Sequence, residues 1–391
     1  MLELDCGLNF DAERDQEFLS GIPPLPAVCL IEAKQESAEP LLIRTADLRR
    51  RLTRLLGPAD PASKRLNLRE FARGVRYRLT GSKFEQTLTY YLRAKEIFPN
   101  RYRKLMRIRP PAVLKVNLRS AYPRCYVTRR IAVDSEAARA NAIYYGPFAS
   151  RKAAEGFAES ILDFFKVRRC QIKIRRDPAF PGCIYSEMKM CLAPCFAGCT
   201  DEEYAAEVQQ LAQFLETGGA SLQTALGTER ERASEALDFE KAGALHKKIE
   251  KLDDVLHARP EIAKRIQNLD AIILQRAVTE QTVGLYAILG GRLTEPLFMD
   301  FAETTSQPGS LERVLRGRIE ESARHFIAGS AEEHLWLISR WFYSNPREGE
   351  IFFHERDWPY RRIMRACARL LAPAAGSATQ NGAAGEPEGA K

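Results

Sequence analysis

Apolar positions alternate with polar ones in several short stretches near the start of the chain and recur every third or fourth residue between them. PAVCLIEA and EPLLIRTA read as short strands separated by the polar turn AKQES, and VRYRLTG as a third, with Val75, Tyr77 and Leu79 alternating against arginines. TADLRRRLTRLL has helical spacing, with Leu48, Leu52 and Leu55 on one face and arginines on the other. A helix from about Lys83 to Ile97, stopped before Pro99, completes a small α/β unit. VLKVNL and RCYVTRRIAV predict basic strands closed by YYGPF. SRKAAEGFAESILDFFKV predicts an amphipathic helix capped by Ser150, with Phe157, Ile161, Phe164 and Phe165 on one face.

After an irregular cysteine-bearing segment the pattern turns helical: TDEEYAAEVQQLAQFLETG runs to a Gly-Gly break at 218–219. Residues 222–257 predict a helical hairpin with the turn LDFEK, where Asp238 caps the second helix. Leu237, Phe239, Leu245, Ile249 and Leu252 would form its apolar seam. So short a hairpin buries little surface alone, which predicts a partner; an ordinary pair of core helices is the alternative. Residues 268–302 read as a β-meander, followed by helices to about Tyr343, the strand EIFFH and one more helix. The tail from about Ala372, rich in small residues, Pro and Gly, predicts disorder.

The 391 residues suit roughly two to four domains, and 45% apolar content fits a packed protein. No apolar run approaches the roughly 20 residues of a membrane span. The acidic start MLELDCGLNFDAERDQEF lacks a signal-peptide layout, so a cytoplasmic protein with no membrane partner is expected. The net charge of +8 is unevenly spread. Between Ile97 and Val133 there is no Asp or Glu, while Arg101, Arg103, Lys104, Arg107, Arg109, Lys115, Arg119, Arg124, Arg129 and Arg130 fall there. Arg44, Arg49, Arg50, Arg51 and Arg54 form a second cluster and Lys166 to Arg176, including Arg168 and Arg169, a third. Such surfaces attract polyphosphate by counterion release, and the planar fork of Arg suits phosphate oxygens, so DNA is the expected partner. A solvated face on a basic protein is the plainer reading of any one run.

Five of the nine cysteines fall within residues 170–199, in the spacing Cys170-x12-Cys183-x7-Cys191-x3-Cys195 with Cys199 beyond. In a reducing compartment such clustering suggests metal or chemistry before disulfides. Structural zinc sites usually show two close pairs and here only one is close; iron–sulfur clusters take four thiolates at wider spacing.

The run YPRCYVTRR…YYGPFASRKAAEGFAESILDFFKVRRCQ…PGCIYSEMKMCLAPC resembles the UvrC family, a component of the bacterial UvrABC excinuclease, and LDFEKAGAL resembles that family's UVR motif. The likeness covers roughly residues 20–355. It implies an α+β multidomain protein: a degenerate GIY-YIG-like α/β domain over 1–105, a basic cysteine-cluster domain over 106–200, a helical segment over 201–260 with the UVR-type hairpin at about 222–257, a C-terminal α/β segment over 265–371, and a disordered tail over 372–391. It also implies a [4Fe–4S] cluster on Cys170, Cys183, Cys191 and Cys195, with zinc as the alternative, and docking on UvrB through Leu237, Phe239, Glu240, Ala242, Leu245 and Ile249. His246 and Lys247 stand where the family usually has Arg-Asp.

The family cuts DNA twice. Aligned on its GIY-YIG nuclease, this chain has Ala27, Val28 and Cys29 in place of Gly-Ile-Tyr, Leu42, Ile43 and Arg44 in place of Tyr-Ile-Gly, and Thr45 in place of a Lys. Arg51 matches the catalytic Arg, Glu85 an earlier Glu, and Tyr90 the metal-binding Glu. A phenol does not replace a carboxylate on Mg²⁺ at neutral pH, so this site is expected to be inactive. The second, RNase H-like domain would begin near the tail, with too few residues left to build it. A DNA- and UvrB-binding repair protein therefore competes with a divergent Mg²⁺ nuclease using Arg51 with Glu85 or Glu96, and with a redox-sensing DNA-binding regulator.

Overall fold

The computed structural model describes residues 2–58, 65–301, 311–322 and 324–371; the tail expected to be disordered, 372–391, lies outside them. The alternating N-terminal stretches form an antiparallel sheet of β1 (Cys6–Asn9), β2 (Ala27–Ala33), β3 (Leu41–Thr45) and β4 (Ala72–Leu79) in the order β1–β4–β2–β3. β1 carries no apolar pattern; it is exposed along its length and held by its ladder with β4. Helices α1 (Asp15–Gly21) and α2 (Leu48–Leu56) cover one face, and α3 (Lys83–Ile97), followed by the short α4 (Tyr102–Leu105), lies on the other. Successive strand side chains point to opposite faces. On β2, Cys29 and Ile31 pack with Leu48, Leu52 and Leu55 of α2, while Val28 and Leu30, with Leu42 of β3, pack with Phe84, Leu88 and Tyr91 of α3. Each such buried leucine contributes about 1.5–3 kcal/mol.

The middle of the chain builds a second antiparallel sheet from β5 (Ala112–Asn117), β6 (Cys125–Thr128), β7 (Ala142–Phe148) and β8 (Lys264–Arg265), in the order β6–β5–β7–β8, with α5 (Glu136–Asn141) leading into β7. Helix α6 (Arg151–Leu162) starts where predicted, Ser150 Oγ accepting the Ala153 N–H at 3.1 Å. Its Phe157 and Ile161 share one core with Leu114, Val116 and helix α8 (Asp201–Glu216) through Tyr204, Leu211 and Phe214. The hairpin helices are α9 (Ala220–Glu235) and α10 (Phe239–His257), and Asp238 caps the second, accepting from Lys241 N at 3.0 Å. The expected seam needs one correction. Leu245 and Leu252 are buried, but Leu237 and Phe239 stand 71% and 70% exposed at the tip, because Leu237 turns through a left-handed backbone (φ 55°).

The C-terminal sheet has the order β11–β10–β9–β13, with β12 also paired to β10: β9 (Ala271–Arg276), β10 (Thr282–Leu289), β11 (Arg292–Leu293), β12 (Leu297–Asp300), β13 (Glu350–Phe353). One face packs on α11 (Leu311–Ser322) and α13 (Tyr360–Leu371). The other face, with α12 (Ala331–Phe342), enters the same core as α3, so the N- and C-terminal units are joined by packing. At that junction Glu333, 1% exposed, accepts from Tyr102 Oη (2.5 Å), Tyr91 Oη (2.7 Å), Lys95 Nζ (3.0 Å), Arg103 Nη1 (3.0 Å) and its own Ser330 N–H (3.2 Å). Burial alone would raise its pKa; these donors outweigh it and hold the carboxyl at about 2. No helix of the described residues is long and apolar enough to cross a membrane.

Candidate metal centre and nucleic-acid interface

Between α6 and α8 the chain has only one turn of helix, α7 (Ile184–Glu187), and a 3-10 turn at Pro194–Phe196. Arg168 anchors this loop. Its buried guanidinium donates from Nε to Tyr122 O (2.8 Å) and from Nη1 to Cys170 O (3.2 Å) and Ile172 O (3.0 Å). Its main-chain N–H donates to Tyr204 Oη (3.1 Å), and that hydroxyl donates to Pro123 O (2.7 Å). A buried charge needs such matched partners. Arg168, expected on the phosphate-binding surface, is therefore a scaffold residue that fixes the backbone on both sides of Cys170.

Left-handed backbone at Lys189, Ala193 and Ala197 folds the loop tightly. The Ala193 N–H points at Cys191 Sγ (3.3 Å), and Arg168 Nη1 lies 3.9 Å from Cys170 Sγ. Burial pushes the Cys191 thiol up to about 11; the Ala193 N–H opposes this, and charge on Cys170, Cys195 or Cys183 adds to it. Burial likewise raises Cys195, with Cys183 and Cys170 adding to it. Charge on each of Cys170, Cys183 and Cys195 would thus be felt at Cys191. Charge on Cys195 also acts on Cys199, whose buried side chain belongs to the middle core. As folded, no three His, Cys, Asp or Glu among the described residues are arranged to hold a metal ion, so the sulfurs do not converge. Their chemistry, soft thiols with a backbone N–H donor, would suit a thiophilic metal.

The remaining cations divide by environment. Lys104 and Arg130 are exposed and form no ion pair among the described residues. Arg124 stacks on Tyr126 at 4.3 Å, and Arg129 Nη1 donates to Pro110 O (2.7 Å) while staying exposed. Arg101 pairs with Glu39, Arg103 with Glu332 and Glu333, and the largely buried Arg169 with Asp163 at 3.0 Å. Part of the basic run is thus tied into the fold.

In the N-terminal unit the degenerate positions do not all meet in one place. Strand alternation puts Cys29 in the core under α2, where burial pushes its thiol up to about 12, and Leu42 in the core under α3. Arg44 lies 5.7 Å over the ring of Tyr90, and Thr45 O accepts from Gln86 Nε2 (2.8 Å). Arg51, on α2, is half-buried with its Nε out of water and without an acceptor. Glu85 turns inward, accepting from Gly81 N (2.9 Å) 3.6 Å from Arg78 Nε, and Glu96 pairs with Arg93 (2.7 Å).

At the hairpin, Leu237, Phe239 and Glu240 are exposed and Ala242 and Ile249 half-buried, while Leu245 faces the core. Two buried charged residues escaped the sequence reading. Glu333 in EEHLW looks like an ordinary first-turn acid, and Arg168 in a basic run looks like surface; nothing local in the pattern marks either as buried.

Residues 112–214 match the family described as the UvrC/Cho excinuclease middle domain. The chain is 28% identical over 201 residues to the UvrABC system protein C of Chlamydia caviae, covering 51% of this chain and 32% of that protein. To that of Nitratidesulfovibrio vulgaris it is 29% identical over 187 residues, covering 47% and 26%. To that of Carboxydothermus hydrogenoformans it is 27% identical over 353 residues, covering 86% and 56%. The chain spans about a third of the length of the first curated relatives it matches. No solved structure matches.

Proposed function

The chain belongs to the UvrC family, and from that premise we propose a nucleotide-excision-repair protein that binds DNA and docks on UvrB without cutting at its GIY-YIG-like unit. The observation that carries this reading is the pairing of Arg44 with Tyr90, a guanidinium stacked at 5.7 Å on a phenol where a nuclease needs a carboxylate and its divalent metal. Glu85 and Glu96, the substitutes a divergent Mg²⁺ nuclease would use, are engaged by Gly81 N and Arg93. DNA would lie on Lys104, Arg124, Arg129 and Arg130. UvrB would be met by the exposed Leu237 and Phe239, with Glu240 beside them.

Cys170, Cys183, Cys191 and Cys195 would hold a [4Fe–4S] cluster, with zinc as the alternative. When bound, such a centre cross-links the irregular loop and couples its folding to metal binding. The chain's own residues do the rest: Arg168 fixes the loop and the Ala193 N–H polarises the Cys191 sulfur.

The test is a binding and incision assay on a damaged duplex with Mg²⁺ and the other repair proteins. Salt-sensitive binding without incision is expected. Cleavage that Arg51→Ala abolishes would establish the nuclease reading instead.

A further inference from the structure

Three large apolar side chains stand in water on the cysteine loop: Ile172 is 48% exposed, and Ile184 and Met188 are each 62% exposed. Met188 N donates to Ile184 O at 3.0 Å, so these last two sit one helical turn apart on the same side. The turn that carries them is held at its start. The Cys183 N–H donates to Ser186 Oγ (2.9 Å), that hydroxyl donates back to Cys183 O (2.5 Å), and Glu187 N donates to the same carbonyl at 3.1 Å. The turn starts at Cys183, whose charge would be felt at Cys191, three residues beyond Met188. The apolar pair is thus presented in advance on a short, hydrogen-bonded knuckle, which lowers the ordering cost of contact.

The charge around it selects the kind of partner. Lys173, Arg175 and Lys189 are exposed on the same loop and form no ion pair among the described residues; the exposed carboxylates of the stretch are Asp177 and Glu187. Apolar side chains among cations match a polyanion whose interior is apolar and stacked. Nucleic-acid duplexes have that construction, and apolar wedges enter them between base steps. Entry costs least where bases are unpaired or mismatched.

We propose that Ile184 and Met188 form a wedge that enters an unpaired or weakly stacked step of a duplex held on Lys173, Arg175 and Lys189. This rests on the DNA-binding reading above and deepens it by naming the DNA feature preferred, a locally opened duplex. The wedge stacks on the exposed base faces while the three cations hold the flanking phosphates.

The full chain is titrated by fluorescence anisotropy against two labelled duplexes of equal length, one fully paired and one with a short unpaired bubble flanked by 2-aminopurine. The expected result is a preference of about tenfold for the bubble, close to the low end of burying one apolar side chain, with a rise in 2-aminopurine fluorescence. The double variant Ile184→Ser, Met188→Ser should lose the preference and the fluorescence rise while keeping its affinity for the paired duplex. Ile184→Leu, Met188→Leu should retain both, which separates the wedge from a folding defect. Lys173→Gln, Arg175→Gln, Lys189→Gln should weaken both duplexes alike and flatten the salt dependence. An undiminished bubble preference in the serine variant overturns the wedge, as does a variant whose sole defect is in binding a protein partner. Failure of the unaltered chain to bind either duplex overturns the nucleic-acid premise instead.

Discussion

Glu333, buried at the junction of the N- and C-terminal units, and Cys191, half-buried in the cysteine loop, are both acids drawn out of water, with opposite consequences. At Glu333 two tyrosines, a lysine, an arginine and a backbone N–H converge on the carboxylate and hold it at about 2. At Cys191 burial meets one backbone N–H and three sulfur neighbours, and the thiol rises to about 11. The junction is electrostatically complete within the chain. In the loop, the proposed metal centre would supply the positive charge that Lys95 and Arg103 supply at Glu333. A network complete within the chain and one left without a counter-charge are thus told apart by what surrounds the acid, since loss of water is common to both.

The largest effect should come from breaking the completed network. Glu333→Ala leaves two tyrosines and two cations at the junction without their acceptor and should cost about 3–5 kcal/mol, read as a lower urea midpoint. The pH dependence has a definite sign. Because the folded pKa of about 2 lies below the ordinary 4.5, this contribution is fully present above about pH 4.5 and is lost as pH falls from there towards 2. Glu333→Gln should remove that acid-side loss. An unchanged urea midpoint in the alanine variant would break the contrast.

A smaller effect on stability, with a qualitative change in composition, is expected in the loop. Anaerobically purified protein should be brown or, on the alternative, carry stoichiometric zinc. Cys191→Ala should abolish that metal and lower the melting temperature of the middle of the chain. Cys199→Ala should keep the metal and cost only about 1 kcal/mol of core packing. Equal metal loss in both variants would show that Cys199 belongs to the centre. The smallest effect on stability is expected at the hairpin tip, where Leu237→Ser with Phe239→Ser should stay within about 0.5 kcal/mol of the parent. The same pair should weaken UvrB binding by about tenfold or more in a pull-down titration. A clear drop in melting temperature would mean that the tip packs on this chain.

The strands, the amphipathic helices α2, α3 and α6, and the hairpin were legible because each carries its own period of apolar residues and its own cap. β1 was not, because CGLN has no period and depends on β4, a partner more than sixty residues away in sequence. The cysteine group was legible as a spacing, but the loop's anchoring by Arg168 was not. Whether an arginine in a basic run meets phosphate or main-chain carbonyls depends on which backbone folds over it. The N-terminal substitutions could be read as the loss of tyrosines and a carboxylate. That Cys29 and Leu42 end on opposite sides of the sheet follows from the pairing of β2 with β3, in which Cys29 faces Ile43. Glu333 is the clearest case, since its partners lie some 230 to 240 positions earlier.

The hairpin leaves the middle unit and returns to it. Arg259 Nη1 binds Gly218 O (3.0 Å) and Tyr145 Oη (2.9 Å), Lys251 holds Asp163 at 2.8 Å, and Arg265 of β8 pairs with Glu216 at the end of α8. An arm pinned at both feet would work as a crank and not as a tether. Torque applied by a partner gripping the tip would be delivered to Tyr145 on β7 and to Asp163 at the mouth of the cysteine loop, so whatever the arm holds is kept at a set bearing to whatever the loop touches.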